Sequence, residues 1–141
     1  MKRKAVAIVV EKNCIGCTRC IDACPTDALI APHKLDSNLC ISYLTIEKRG
    51  AIPEAMRDGL GQHIFGCDIC QDVCPWNRRA PATSDEAFAP RHFAPRLDDM
   101  AALTEEEFHA MFRGTPVSRA KYEGFMRNVA IARARVTESS R

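Results

Sequence analysis

The chain has 141 residues, nearly half of them apolar and few aromatic, with 20 basic against 18 acidic side chains and eight cysteines. That length suits one ordinary domain with a core of its own and excludes two large ones. Near the N-terminus only Ala5 to Val10 is apolar, too short for a signal peptide and without a small-residue cleavage site, and no apolar run reaches the length of a membrane span. Eight cysteines without a leader point to reducing cytoplasm, where clustered thiols bind metal more often than they form disulfides.

In chain order, Ala5 to Val10 is a short β-branched and apolar run that predicts a strand leading into a cysteine loop. The loop is Cys14-Ile-Gly-Cys17-Thr-Arg-Cys20-Ile-Asp-Ala-Cys24-Pro25. Three thiolates at i, i+3 and i+6, then a fourth before proline, make the bacterial ferredoxin spacing for a cubane iron-sulfur cluster. Thr18 to Cys24 predicts one or two helical turns stopped by Pro25, and Ala28 to Ala31 a second short strand closing at Pro32. Leu39 to Glu47, around the isolated Cys40, fits helix or strand by pattern, with helix favoured. Pro53 then opens a helix through Leu60 with Gly61 as its stop. The second dense run, Cys67-Asp-Ile-Cys70-Gln-Asp-Val-Cys74-Pro75, repeats the last three cysteine positions of the first.

Arg78 to Pro95 carries three prolines among alanines and polar residues and predicts an extended surface linker. Thr104-Glu-Glu-Glu107 is a capping-box sequence, followed by the apolar stripe Phe108, Met111 and Phe112 and the stop Gly114. Ser118 to Val136 predicts a longer helix with Tyr122, Phe125, Met126, Val129 and Ala132 at helical spacing, as packing rather than chemistry. Between Arg113 and Arg135 the cations Arg113, Arg119, Lys121, Arg127, Arg133 and Arg135 face only Glu123. Such a stretch suits phosphates, or is a solvated helix face.

In the two-cluster pattern each fourth cysteine crosses over. Cys14, Cys17, Cys20 and Cys74 are therefore expected on cluster 1. Cluster 2 takes Cys67, Cys70 and the crossing Cys24, and Cys40 fills the place that Ile64 cannot. Two zinc sites of four cysteines would also use eight thiolates, but a continuous four-cysteine run ending in Cys-Pro, echoed by a second, is more specific than paired knuckles. Two cubanes held close by crossed ligands form a short one-electron relay. Trp76 either shields a cluster or is an ordinary core tryptophan. His33, His63, His92 and His109 are scattered, which favours surface or packing roles over ligation. No glycine-rich phosphate loop and no Ser/His/Asp order stands out, so no catalytic residue is expected in this chain.

The segments Cys17 to Ala28, Cys40-Ile-Ser-Tyr-Leu-Thr-Ile-Glu47 and Ile64-Phe-Gly-Cys67 through Cys74-Pro-Trp-Asn77 closely resemble the epoxyqueuosine reductase family, as do Leu103-Thr-Glu-Glu-Glu-Phe108 and Arg127-Asn-Val-Ala-Ile131. The resemblance implies that two 4Fe-4S clusters, held by the eight cysteines named above, pass electrons to a cobalamin. The cobalamin removes the epoxide oxygen of epoxyqueuosine at the wobble position of transfer RNA. It also implies an oxidoreductase at the level of the family, and a helical repeat region, beginning with the basic helix, that contributes to holding the RNA.

Family members carry a cobalamin-binding domain ahead of the cluster part, and only 13 residues precede Cys14 here. The expectation is therefore a fragment or truncated product whose cobalamin comes from a missing domain or another chain, and which also meets an electron donor. The expected fold is α+β: a ferredoxin-like two-cluster domain over 1–80, a linker and short helix over 81–103, and an α-helical segment over 104–141. Two other functions fit the same residues. A stand-alone two-cluster electron carrier would show redox activity without cobalamin or RNA affinity. A metal-stapled RNA-binding module would be indifferent to reducing power and sensitive to salt.

Overall fold

The computed structural model describes residues 6–8, 14–92 and 94–139. Strand β1 (Val6–Ile8) pairs antiparallel with β2 (Lys34–Asp36), Val6 opposite Asp36 and Ile8 opposite Lys34. Ala5, Val9 and Val10, the rest of the predicted first strand, lie outside the described residues. The second strand differs from the expectation at Ala28 to Ala31. Of those residues only Ala31 pairs, in an isolated bridge to Lys34. Pro32 has no amide to give a ladder, and His33 adopts a left-handed φ of 61°, so the chain reverses there and the paired residues follow the turn.

Two four-residue helices each contain one cysteine, Cys20 and Cys70. Helix α1 (Arg19–Asp22) comes after Cys17 and α4 (Ile69–Asp72) after Cys67, at the same offset from each cysteine, and the two pack against each other. Both are followed by a Cys-Pro, at Cys24-Pro25 and Cys74-Pro75. Proline cannot continue a helix, so each short helix hands its last cysteine to a turn. Between them lie α2 (Ile41–Ile46), with Cys40 at its N-cap, and α3 (Glu54–Leu60), which starts after Pro53 and ends at Gly61 with φ 55°. Ile41, Leu44, Ile52 and Leu60 form a small buried core there.

From Trp76 to Arg96 every described residue is exposed, with short 3-10 turns at Asn77–Arg79 and Glu86–Phe88. The chain then becomes helical through α5 (Leu97–Ala101), α6 (Glu105–Phe112) and α7 (Lys121–Ser139). The last helix begins three residues later than Ser118, because Pro116–Ala120 forms a separate 3-10 turn and Lys121 turns left-handed at φ 61°. Met100, Phe108, Phe112, Ala120, Phe125 and Val129 make the larger core, with the Phe108 and Phe125 ring centroids 5.2 Å apart. Helix α7 also packs on α2, and its Ile131 joins the smaller core, so the C-terminal helices and the cysteine-bearing half share one body.

The capping box forms as the sequence predicts. Thr104 Oγ1 accepts from the Glu107 amide at 3.2 Å, and Glu107 Oε2 accepts from the Thr104 amide at 2.8 Å. The Thr104 amide, and after it the hydroxyl, hold the Glu107 carboxyl below its ordinary range. The folded value lies below the unfolded one, so this contribution is present above the unfolded pKa and is lost as pH falls through the folded value. Thr104→Ala is expected to cost about 1 kcal/mol, read as a melting temperature lower by about 3 °C.

Candidate metal centre

All eight cysteines are free thiols. One cavity of about 280 Å³ collects Cys14, Cys17 and Cys20 from the first run with Cys70 and Cys74 from the second. Ile15, Ile21, Leu29 and Pro32 line it with hydrocarbon, while Cys14 and Cys17 stay exposed. Trp76 lies on its rim and is 61% exposed, so it borders the thiols and is no core tryptophan. Its place follows from the chain: the Cys74-Pro75 turn leads directly into it.

The remaining thiols meet through electrostatics. Burial pushes the Cys67 thiol up, and the negative charge that Cys40 and Cys24 acquire on ionisation pushes it further. Cys70 is raised for the same reasons, burial first and then Cys67, Cys40 and Cys20. Cys67 thus lies in the field of Cys40 and Cys24, and Cys70 in that of Cys67, Cys40 and Cys20. Thiols that oppose one another's ionisation are relieved by a cationic core, which draws charge from all of them. Among the described residues no three His, Cys, Asp or Glu side chains sit where a single metal ion could be held.

Backbone donors are aimed at the sulfurs. The Gly16 amide donates to Cys14 Sγ at 3.4 Å and the Ala28 amide to Cys24 Sγ at 3.3 Å, with Thr26 Oγ1 3.7 Å from the same sulfur. For Cys24 burial acts upward, but the Thr26 amide and hydroxyl with the Ala28 and Leu29 amides outweigh it and hold the thiol below its ordinary value. This is the donor set that stabilises a metal-bound thiolate. The loop achieves it by winding tightly. Thr18, Asp27 and His33, besides Gly16, have φ between 51° and 68°, a conformation that costs a non-glycine residue energy unless its surroundings enforce it. Gly59 of α3 backs the Cys24-Pro25 turn closely: a Cβ there would come 3.1 Å from the Pro25 carbonyl oxygen.

Cys40 and Cys67 are fixed to each other through α2. Ser42 Oγ accepts from the Cys67 amide at 3.0 Å and donates to the Cys67 carbonyl at 3.2 Å, while Thr45 Oγ1 accepts from the Gly66 amide at 2.9 Å. These two hydroxyls were missed in the sequence. Their signal is the Cys40-Ile-Ser-Tyr-Leu-Thr45 spacing, with polar groups two and five residues after the cysteine on an otherwise apolar helix. Of the histidines, His33 lines the thiol cavity, while His63 Nδ1 lies 2.9 Å from the Leu60 carbonyl and His109 pairs with Glu105 on α6.

The 4Fe-4S double cluster binding domain family matches residues 13–77. Epoxyqueuosine reductases from Xanthomonas campestris and Pseudomonas aeruginosa are 49% and 47% identical over 121 and 123 residues, 84% and 86% of this chain and 34% of each relative. The Escherichia coli epoxyqueuosine reductase is 44% identical over 87% of this chain and 33% of its own length. A crystal structure of epoxyqueuosine reductase with an epoxyqueuosine-modified tRNA stem loop superposes with a TM-score of 0.81 at 35% identity, over 90% of this chain and 34% of that one. The chain is similar to one part of the epoxyqueuosine reductases. It spans about a third of the length of the relatives it matches. The structure of the epoxyqueuosine reductase from Bacillus subtilis superposes with a TM-score of 0.73 at 34% identity.

The basic stretch of the chain is largely engaged within the fold. Arg119 pairs with Glu47, Arg133 with Asp98 at 3.3 Å and Arg135 with Asp58. Arg127 donates to the carbonyls of Leu44, Lys48 and Gly50. Arg113 and Lys121 are exposed. Among the described residues no helix is long and apolar enough to cross a membrane.

Proposed function

We propose that this chain is the electron-relay part of an epoxyqueuosine reductase, acting in the reduction of epoxyqueuosine to queuosine at the wobble position of transfer RNA. The observation that carries the reading is the cavity in which Cys70 and Cys74 join Cys14, Cys17 and Cys20, bringing the two cysteine runs together as crossed cluster ligands require. Cys14, Cys17, Cys20 and Cys74 hold cluster 1, and Cys24, Cys40, Cys67 and Cys70 hold cluster 2. Each cubane supplies one-electron transfer when bound. Loss of an epoxide oxygen as water takes two electrons and two protons, which a pair of one-electron carriers can deliver in sequence. The chain's own share is to border the thiols with the half-buried Ile21 and Leu29 and to aim the Gly16 and Ala28 amides at the sulfurs of Cys14 and Cys24.

Cobalamin, in this reading, is held by protein outside these 141 residues, in the same polypeptide or in a separate chain, and an electron donor feeds the clusters in the cytoplasm. Residues 1–80 form the two-cluster unit, 81–103 the connection, and 104–141 the start of a helical repeat region. Of the basic stretch, the exposed Arg113 and Lys121 are the cations in position to meet RNA phosphates.

The test is anaerobic reconstitution with iron and sulfide, then metal analysis and low-temperature paramagnetic resonance after reduction. About eight irons per chain and the signals of two interacting cubanes are expected. Zinc without sulfide would overturn the reading. Clusters that form and cycle, but pass no electrons to cobalamin when a cobalamin-binding partner is supplied, would make the chain a stand-alone ferredoxin-type carrier.

A further inference from the structure

Asn128 is a fully buried polar side chain in the apolar stripe of α7, between Phe125, Val129 and Ala132. Its amide nitrogen donates to the carbonyls of Thr45 at 2.8 Å and Ile64 at 2.9 Å. Its oxygen accepts from Arg127 Nε at 3.1 Å and Nη2 at 2.9 Å. The guanidinium of Arg127 then donates to the carbonyls of Leu44 at 2.8 Å, Lys48 at 3.0 Å and Gly50 at 2.6 Å. The carbonyls of Leu44 and Thr45 belong to the last turn of α2, where a helix leaves its acceptors without partners of its own. Two adjacent residues of α7 thus close the C-terminal end of the helix that Cys40 begins, and they also hold the strip that leads through Gly66 to Cys67.

We propose that Arg127 and Asn128 are positioning residues for the second iron-sulfur cluster, setting through α2 the separation of Cys40 and Cys67. This rests on the reading that those two thiols share a cluster. A fork of donors is required here, not merely a charge: five N–H groups in a plane reach three carbonyls and one amide oxygen, and an ammonium cannot span them. Removing Asn128 takes the donor from the Thr45 and Ile64 carbonyls and loosens the Ile64 end of the strip, leaving only the Ser42 and Thr45 hydroxyls to hold Gly66 and Cys67 to α2. Cluster 1 takes none of its ligands from either element, so the consequence is confined to one cubane. The guanidinium donors of Arg127 are likewise turned to the chain's own backbone and to Asn128.

The experiment compares the reconstituted parent chain with Asn128→Ala, Arg127→Lys and, as a control for general weakening, Thr104→Ala. In Asn128→Ala the iron content is expected to fall from about eight toward about four per chain, with one cubane signal retained and its interaction with the other lost. Arg127→Lys, which keeps the charge, is expected to follow Asn128→Ala, and Thr104→Ala to follow the parent. Two intact cubanes at unchanged potentials in Asn128→Ala, or equal loss of both, would overturn the proposal, as would selective loss in Thr104→Ala. Hydrogen exchange at the Gly66 and Cys67 amides separates this result from the two-cluster reading. Should the parent take up no cubanes, exchange at those amides is still expected to quicken by about tenfold or more in Asn128→Ala, and unchanged exchange would show that Asn128 does not hold the strip.

Discussion

Cys40→Ser is expected to remove one of two cubanes and leave the other, lowering iron from about eight to about four per chain. Serine is close in shape but is a poor ligand to iron at neutral pH, because its hydroxyl does not ionise as a thiol does. The substitution therefore tests ligation with little change of packing. Cys40 is the informative position because it stands apart from both cysteine runs and enters its set only through α2, whose Ser42 and Thr45 bond to the Cys67 loop. Cys74→Ser is expected to give the same iron loss from the other cubane, since Cys74 lies with Cys14, Cys17 and Cys20. The double variant Cys40→Ser with Cys74→Ser then loses both, whereas Cys40→Ser with Cys24→Ser loses no more than either alone. If the ligands did not cross, Cys74 would fall in the same set as Cys40, and the two double variants would exchange their outcomes. Two zinc sites would predict zinc in place of iron, with no sulfide in any variant.

The parts of this site that could be read from sequence are those whose chemistry is local. Cysteine spacing, the proline after Cys24 and Cys74, and the Thr104 to Glu107 box each act within a few residues, and the short helices α1 and α4 and the capped α6 form there. The strand was misread at Ala28 to Ala31 because its apolar pattern suits a strand, while the deciding turn at Pro32-His33 follows it and moves the pairing to Lys34–Asp36. The Ala28 amide goes to a sulfur instead of a ladder. The basic stretch shows the larger gap. Charge counting cannot tell a cation that meets solvent from one that caps a helix about eighty residues away, and Arg127 is of the second kind. Asn128 was the available clue, since an amide inside the stripe of Phe125, Val129 and Ala132 is costly to bury without partners.

Removing the iron is expected to disorder the cysteine-bearing half while the C-terminal helices persist. Between Cys14 and Cys40 only Ala28 is buried among apolar residues, and from Cys67 to Asp99 no described residue is. Those segments bury too little hydrocarbon to offset the entropy of ordering, and thiolates that repel one another oppose it further. The larger core, from Met100 through Val129, contains no cysteine and depends on aromatic packing among Phe108, Phe112 and Phe125. Chelation under reducing conditions should therefore abolish hydrogen-exchange protection over residues 14–36 and 68–77 while α6 and α7 keep theirs. Far-ultraviolet ellipticity should fall only slightly, because α1 and α4 contribute four residues each against nineteen in α7. Helix α2 is the element that decides between partial and global loss. It carries Cys40 at one end, yet its other end is bonded to Arg127 and Asn128, and its Ile41 and Leu44 lie in the smaller core. Protection retained in α2 after chelation would show that α7 holds the frame before the metal arrives, so that iron completes a half-built site. Protection lost from α2 and α7 together, in one transition, would instead make the clusters the keystone of the whole chain and refute the division into a metal-dependent and a metal-independent half.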